Sequence, residues 1–289
     1  MASNTDAPDR PRRRVPLAAL LVAPGLLWLA VALGWPYIAM LHVSFSDAYP
    51  AITSYTLKHY VDFLQDSYLL GVALRTFALA FTVVIVCAVI GYPLAYYLAH
   101  SRSPYRKYVF LCVVSPLLVS TVVRTIGWTI LLGDEGLINN MLKVLHVIDD
   151  PLTLMKSFWS VVVGMVHILL PFMVLSIMAV LSKVDSAFSE AAKSLGATPV
   201  AAFFRVTLPL SINGVAAGSV IVFCLTIGSY ITPLWLGRGK VPVLANSIYD
   251  QMIVIGNYPA GAALSIVLTI AMLVVLTIYG LILRKHSRR

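Results

Sequence analysis

Apolar residues fill six long stretches of the chain, roughly 16–43, 69–99, 108–132, 155–181, 210–236 and 258–283, and the charges gather between them. A helix needs about 20 mostly apolar residues to cross the hydrocarbon of a bilayer, and each stretch is long enough. The pattern predicts six transmembrane helices. The third and fifth are the least uniform: Pro116 and Arg124 interrupt one, and Thr, Gly and Pro residues cluster in the other. The first stretch follows Arg12, Arg13 and Arg14, and Ala30-Val31-Ala32 has the small-residue look of a leader cleavage site. The apolar run continues well past that point, longer than the core of a leader, so it is read as a span.

Composition agrees. Of 289 residues, 60% are hydrophobic and 11% charged, with a mean hydropathy of +0.89. A water-soluble domain carries about twice that charge and needs polar cover for its surface. Soluble enzymes, nucleic-acid binders and secreted disulfide scaffolds are therefore excluded as classes. The three cysteines, Cys87, Cys112 and Cys224, each sit inside an apolar run with no metal-ligand spacing, and are expected to be small packing residues.

The net charge of +9 is a matter of placement. With the N-terminus inside, the inner segments hold 14 of the 21 basic residues and only four of the 12 acids, Asp6, Asp9, Asp185 and Glu190. Lys and Arg accumulate on the cytoplasmic side of membrane proteins, so both termini are expected to be cytoplasmic. The basic 1–15 tail, rich in Pro and Arg, is expected to be disordered or to touch lipid. Residues 16–289 form one transmembrane unit.

The spans lack the usual devices for energising transport. No acid lies mid-span, where ion-coupled transporters hold carboxylates. Gly237-Arg238-Gly239-Lys240 is followed by Val241, without the Ser or Thr or the earlier glycine of a phosphate-binding loop. Arg124 is the one basic residue well inside a span. Two roles stand open for it: anchoring to the headgroups or a neighbouring helix, or lining a pathway. His167 has the same two, with a packed, hydrogen-bonded neutral ring first. Tyr92, Tyr96 and Tyr97 read as an interfacial belt.

The segment 183–209 is the most informative. Asp185 is placed to cap a helix running through Glu190, Ala191, Ala192 and Lys193. Gly196 ends it, since glycine takes the left-handed conformation readily, and Thr198-Pro199 starts another. Leu208-Pro209 is expected to stop that second helix before span five. Val200, Phe203, Phe204 and Val206 beside Arg205 are too apolar for a bare loop, and fit either a partner's groove or the protein's own helix ends.

Glu190-Ala191-Ala192, then Gly196, then Leu208-Pro209, ahead of the penultimate span of six, resembles the EAA loop of permease subunits of binding-protein-dependent ABC importers. Gly91-Tyr92-Pro93-Leu94-Ala95-Tyr96 resembles the family's second core helix, and Arg124-Thr125-Ile126-Gly127-Trp128, Gly136-Leu137-Ile138-Asn139, Leu170-Pro171-Phe172, Gly228-Ser229-Tyr230 and Ile248-Tyr249-Asp250-Gln251 resemble the spermidine/putrescine branch. The resemblance implies an all-α polytopic membrane protein of the type I importer permease fold in the bacterial inner membrane. It implies four partners besides lipid: two cytoplasmic ATPases, a second permease, which the polyamine branch makes a paralogue, and an external solute-binding protein. It implies that Glu190, Ala191, Ala192, Gly196, Ala197, Phe203, Phe204 and Arg205 shape or contact the ATPase junction. ATP and Mg would then bind the ATPase, with no catalysis, metal or cofactor in this chain.

A polyamine is best met by carboxylates and aromatic faces. Trp128, Asp134, Glu135, Tyr230, Trp235 and Asp250 are candidates for the pathway, with Arg124 cutting against a purely cation-selective lining. Other small solutes, such as an amino-acid derivative, opine, phosphonate or metal chelate, stay open within the same class. An ion-coupled secondary transporter and a transport-inactive scaffold are the readings from other classes.

Overall fold

The structure is a computed structural model that describes residues 17–287; the expected basic tail lies outside them. The described chain is helical, with one isolated bridge between Ser46 and Tyr55. Five helices are long and apolar enough to span a membrane: α1 (Leu17–Ser44), α3 (Ser67–His100), α7 (Phe158–Leu181), the run Pro199–Ile227 and α13 (Tyr258–Ser287).

The expected third span is not one straight helix. Arg106–Leu118 and Thr121–Val144 meet at 104°. Pro116 cannot donate to the ladder of α4 (Arg106–Val114), which tightens into a 3₁₀ turn over Ser115–Leu118. Val119 and Ser120 then turn extended, and α5 (Thr121–Leu132) departs in a new direction. Both arms are apolar, so a hydropathy profile reads straight through the break. α6 (Leu137–Val144) is pinned by Asn139, fully buried, whose amide donates to Gly133 O at 3.0 Å and Leu152 O at 2.9 Å and accepts from Leu152 N at 2.9 Å.

The expected fifth span is corrected at both ends. Leu208-Pro209 does not stop a helix: α9 (Pro199–Ala202) passes through a π-helical turn at Phe203–Thr207 into α10 (Leu208–Ile227). Leu208 N–H reaches back to Phe203 O, and this widened turn lets Pro209, which has no N–H to give, sit in the first turn of α10. At the other end α10 stops before Gly228, and Leu236 belongs to a separate short helix, α11 (Ile231–Gly237).

α7 is the centre of the bundle, with α3 and α10 packed on either side. Val161, Met165, Met173, Val174 and Ile177 on α7 are buried, as are Val83 and Cys87 on α3 and Val222 on α10. Lipid is as apolar as leucine, so close packing has to replace the hydrophobic effect between spans. Small residues permit it. A Cβ on Gly214 would stand 3.0 Å from Ile177 Cα and Ser176 O, and one on Gly218 2.7 Å from Met173 Sδ. α1 lies at the periphery against α13.

The bundle has two distinct ends. At one, α8 (Ser186–Ser194) and α9 gather around the π turn, with α8 beside Tyr96 and His100 at the end of α3. At the other, α2 (Lys58–Gln65) and α12 (Leu244–Tyr249) pack around the start of α3, where Thr76 Oγ1 accepts from Leu244 N at 2.9 Å, and α11 packs on α5 and α7. There the Asp47 carboxylate closes a turn, accepting from Ala48 N at 2.9 Å, Thr53 N at 3.2 Å, Ser54 N at 3.1 Å and the Thr53 hydroxyl.

Candidate functional site

The loop at the first end is built from strictly local signals. Asp185 caps α8, accepting from Ala187 N at 2.9 Å. The helix closes in a Schellman motif: Gly196, at φ +90°, donates to Lys193 O at 2.9 Å, and Ala197 N donates to Ala192 O at 3.1 Å. Thr198 then caps α9, accepting from Ala201 N at 3.2 Å, with Pro199 in its first turn. The first helix, the glycine elbow and the start of the second helix are as the spacing predicted; the end of the second is not, since α9 runs on into α10.

At the elbow an apolar tip faces outward. Leu195 is 90% exposed, Val200 65%, Phe204 60% and Phe188 58%. Glu190, Ala191, Gly196 and Arg205 are exposed with them, while Ala192 and Ala197 are half-buried. Phe203 is placed differently from its neighbours. Its ring turns inward, edge-on to Tyr92 at 5.3 Å and to Tyr96 at 6.1 Å on α3. Tyr92 is 8% exposed and its hydroxyl is 2.6 Å from Ser211 Oγ on α10. The expected interfacial belt is therefore corrected at Tyr92, which is a packed core residue. A belt tyrosine and a buried one look alike in sequence, and the difference here is Ser211.

The expected pathway residues fall into separate groups. Arg124 and Trp128 lie one turn apart on α5, and the Trp128 indole N–H donates to His167 Nδ1 on α7 at 3.1 Å. That bond leaves the ring proton of a neutral His167 on Nε2. Arg124 donates to Thr121 Oγ1 at 3.3 Å, while its Nε and one terminal nitrogen are buried without a hydrogen-bond partner. Thr125 and Thr232 hydroxyls, 3.2 Å apart, tie α5 to α11. At the second end Tyr230 and Tyr249 stack at 5.2 Å with rings 15° from parallel, and with Tyr37, Met252 and Ser265 they line a cavity of about 540 Å³. Asp250 follows Tyr249 and is exposed. Trp235, on α11, is 43% exposed. Asp134 and Glu135 sit apart from both groups, exposed in the turn between α5 and α6. Tyr37 and Tyr249 were not among the expected pathway residues, Tyr249 standing only within the Ile248–Gln251 motif, and the Trp128–His167 contact spans 39 positions with no local signal.

Residues 91–289 match the family described as the binding-protein-dependent transport system inner membrane component. The chain belongs to that family. It is 33% identical over 255 residues, 87% of this permease and 88% of the relative, to the spermidine/putrescine transport system permease protein PotB of Salmonella typhimurium strain SL1344. It is 30% identical over 259 residues, 87% and 89% of the two chains, to the protein of the same name from Haemophilus influenzae. Its fold is shared with a chain of the crystallised bacterial alginate ABC transporter in complex with alginate pentasaccharide-bound periplasmic protein, at a TM-score of 0.78 and 19% identity over 91% of this permease and 92% of that chain. The permease is thus a multi-pass inner-membrane subunit of an ABC importer, with the type I importer permease fold. The family's description implies a solute-binding protein as a partner.

Proposed function

We propose that this permease, paired with a paralogous second permease, forms the route by which a polyamine enters the cell, and that its Gly196 elbow seats in a cytoplasmic ATPase. ATP and Mg bind two such ATPase subunits, an external solute-binding protein delivers the solute, and this chain binds neither nucleotide nor metal. Both termini and the elbow lie on the cytoplasmic side. The observation that carries the coupling role is the elbow itself: a Schellman turn that projects Leu195, Val200 and Phe204 into the open. Apolar side chains displayed at the tip of a polar loop mark a protein interface. Glu190, Ala191 and Gly196 set the shape of that tip, and Phe204 and Arg205 flank it.

The polyamine reading is supported by the names of the relatives and by the Tyr230–Tyr249 stack with Asp250 next to it. Aromatic faces and a carboxylate suit an alkylammonium ion. A second reading, a solute that carries an anionic group beside its amine, is favoured by Arg124, whose buried nitrogens have no partner. Buried guanidinium groups are rarely left so.

Co-expression with the partner ATPase and permease tests the coupling role. Gly196→Trp is expected to abolish recovery of the ATPase with the complex while the two permeases still pair. Undiminished recovery and undiminished solute-stimulated ATP hydrolysis would refute it. Uptake of labelled spermidine into proteoliposomes, competed by spermidine and putrescine and not by 2-aminoethylphosphonate, is the result expected for the solute; the reverse competition favours the second reading.

A further inference from the structure

The inward-facing cluster of Phe203, Tyr92, Tyr96 and Ser211 joins the elbow to two spans at once. Phe203 opens the π turn that carries α9 into α10, and its carbonyl accepts the Leu208 N–H that defines the turn. The Phe203 ring meets Tyr92 and Tyr96, one helical turn apart on α3, at interplanar angles of 88° and 80°. Such edge-to-face contacts fix both distance and orientation. Behind them Ser211 Oγ donates to Thr207 O at 2.9 Å and to Leu208 O at 3.1 Å. Its single proton is thereby engaged, so the Tyr92 hydroxyl donates to it at 2.6 Å. The bond crosses from α3 to α10 where Ser211 is fully buried. A hydroxyl left unpaired there would be costly, and the tyrosine bond therefore holds the two spans in one register at the level of the π turn.

We infer that Tyr92 is a positioning residue for transport, clasping Phe203 and Ser211 so that displacement of the elbow moves α3 and α10 together. This rests on the coupling role proposed above. Without the clasp, a push on the elbow would be absorbed in the π turn, where the helical ladder is already widened, and α3 would lag behind.

The test uses the whole transporter in proteoliposomes with solute-loaded binding protein, measuring ATP hydrolysed and solute taken up in the same sample. Tyr92→Phe keeps the ring and loses the bond to Ser211, and Ser211→Ala loses the same bond from the other side. Each is expected to keep stimulated ATP hydrolysis and to lower solute moved per ATP several-fold. Tyr92→Phe combined with Ser211→Ala is expected to fall no further than either alone, because both remove one bond. A role in folding alone would reduce the amount of complex and leave the ratio untouched. An unchanged ratio in Tyr92→Phe and Ser211→Ala, with the ATPase bound, overturns this inference and spares the coupling role. Failure of the unsubstituted permease to bind its ATPase would defeat that role instead.

Discussion

Gly196 is the residue on which the elbow turns, and two demands on it can be separated. Its φ of +90° is a backbone conformation that side chains resist, yet nothing lies within 4 Å of where its Cβ would be. Gly196→Ala therefore costs only the backbone preference, about 1–2 kcal/mol. Hydrogen exchange at Ala197, the amide that closes the turn, is expected to rise about 5- to 30-fold, and Gly196→Asn, which tolerates the left-handed region better, to rise less. Asp47 is the second decisive residue. The Thr53 hydroxyl and then the Ser54 amide hold its carboxyl well below the usual carboxylate range. A depressed native pKa means the contribution is complete above the unfolded value of about 3.9 and is lost only as pH falls through the lower native value. Proteolysis within 47–56 is expected to be equally slow at pH 7 and pH 5, and fast at pH 7 in Asp47→Asn. Equal rates in the variant and the parent would contradict this. The single-residue signals in the loop were legible because each acts on its own neighbours: Asp185 on Ala187, Thr198 on Ala201, Gly196 on Lys193. That Arg124 and Trp128, four apart, share one helical face is equally local, although each was read singly. Their partner His167 was not legible, because only the packing of α5 on α7 brings it near.

Elements were legible as far as their signals stayed local. Six apolar stretches correspond to five spanning helices and the bent pair. The bend after Leu118 and the continuity through Pro209 were not visible, and both have the same origin. Proline removes one donor, and whether the chain breaks or widens around it depends on what the surroundings demand. At Pro116 the helix tightens and then breaks; before Pro209 it opens into a π turn and continues. The packing of α7 against α10 likewise depends on Gly214 and Gly218, which in sequence are indistinguishable from Gly71, where an added Cβ meets nothing. Gly214→Ala is expected to destabilise the permease by about 1–3 kcal/mol, as overpacking does, because two of the three atoms in its way are backbone. Gly71→Ala is expected to be neutral or to stabilise by up to about 1 kcal/mol. Unfolding of the purified permease in mixed micelles reads both, and equal stabilities would show that the α7–α10 contact is looser than described.

At the scale of the whole molecule the two ends of the bundle differ as the charges do. The end that carries α8 and α9 holds Arg102, Arg106, Lys107, Lys183, Lys193 and Arg205 against Asp185 and Glu190, and the opposite end holds Asp47, Asp62 and Asp66 against Lys58. In the coupling proposed above, the elbow that presents 90% exposed Leu195 would receive the work of the ATPase, and Tyr92 and Phe203 would lead it toward α3 and α10. The coupling role depends on that junction. Imaging the assembled importer by electron cryo-microscopy, with both permeases and both ATPases present, tests it most directly. The account predicts Leu195, Gly196 and Phe204 enclosed in a groove of the ATPase. A map in which they stand in open solvent, with the ATPase engaged elsewhere or absent, would contradict it.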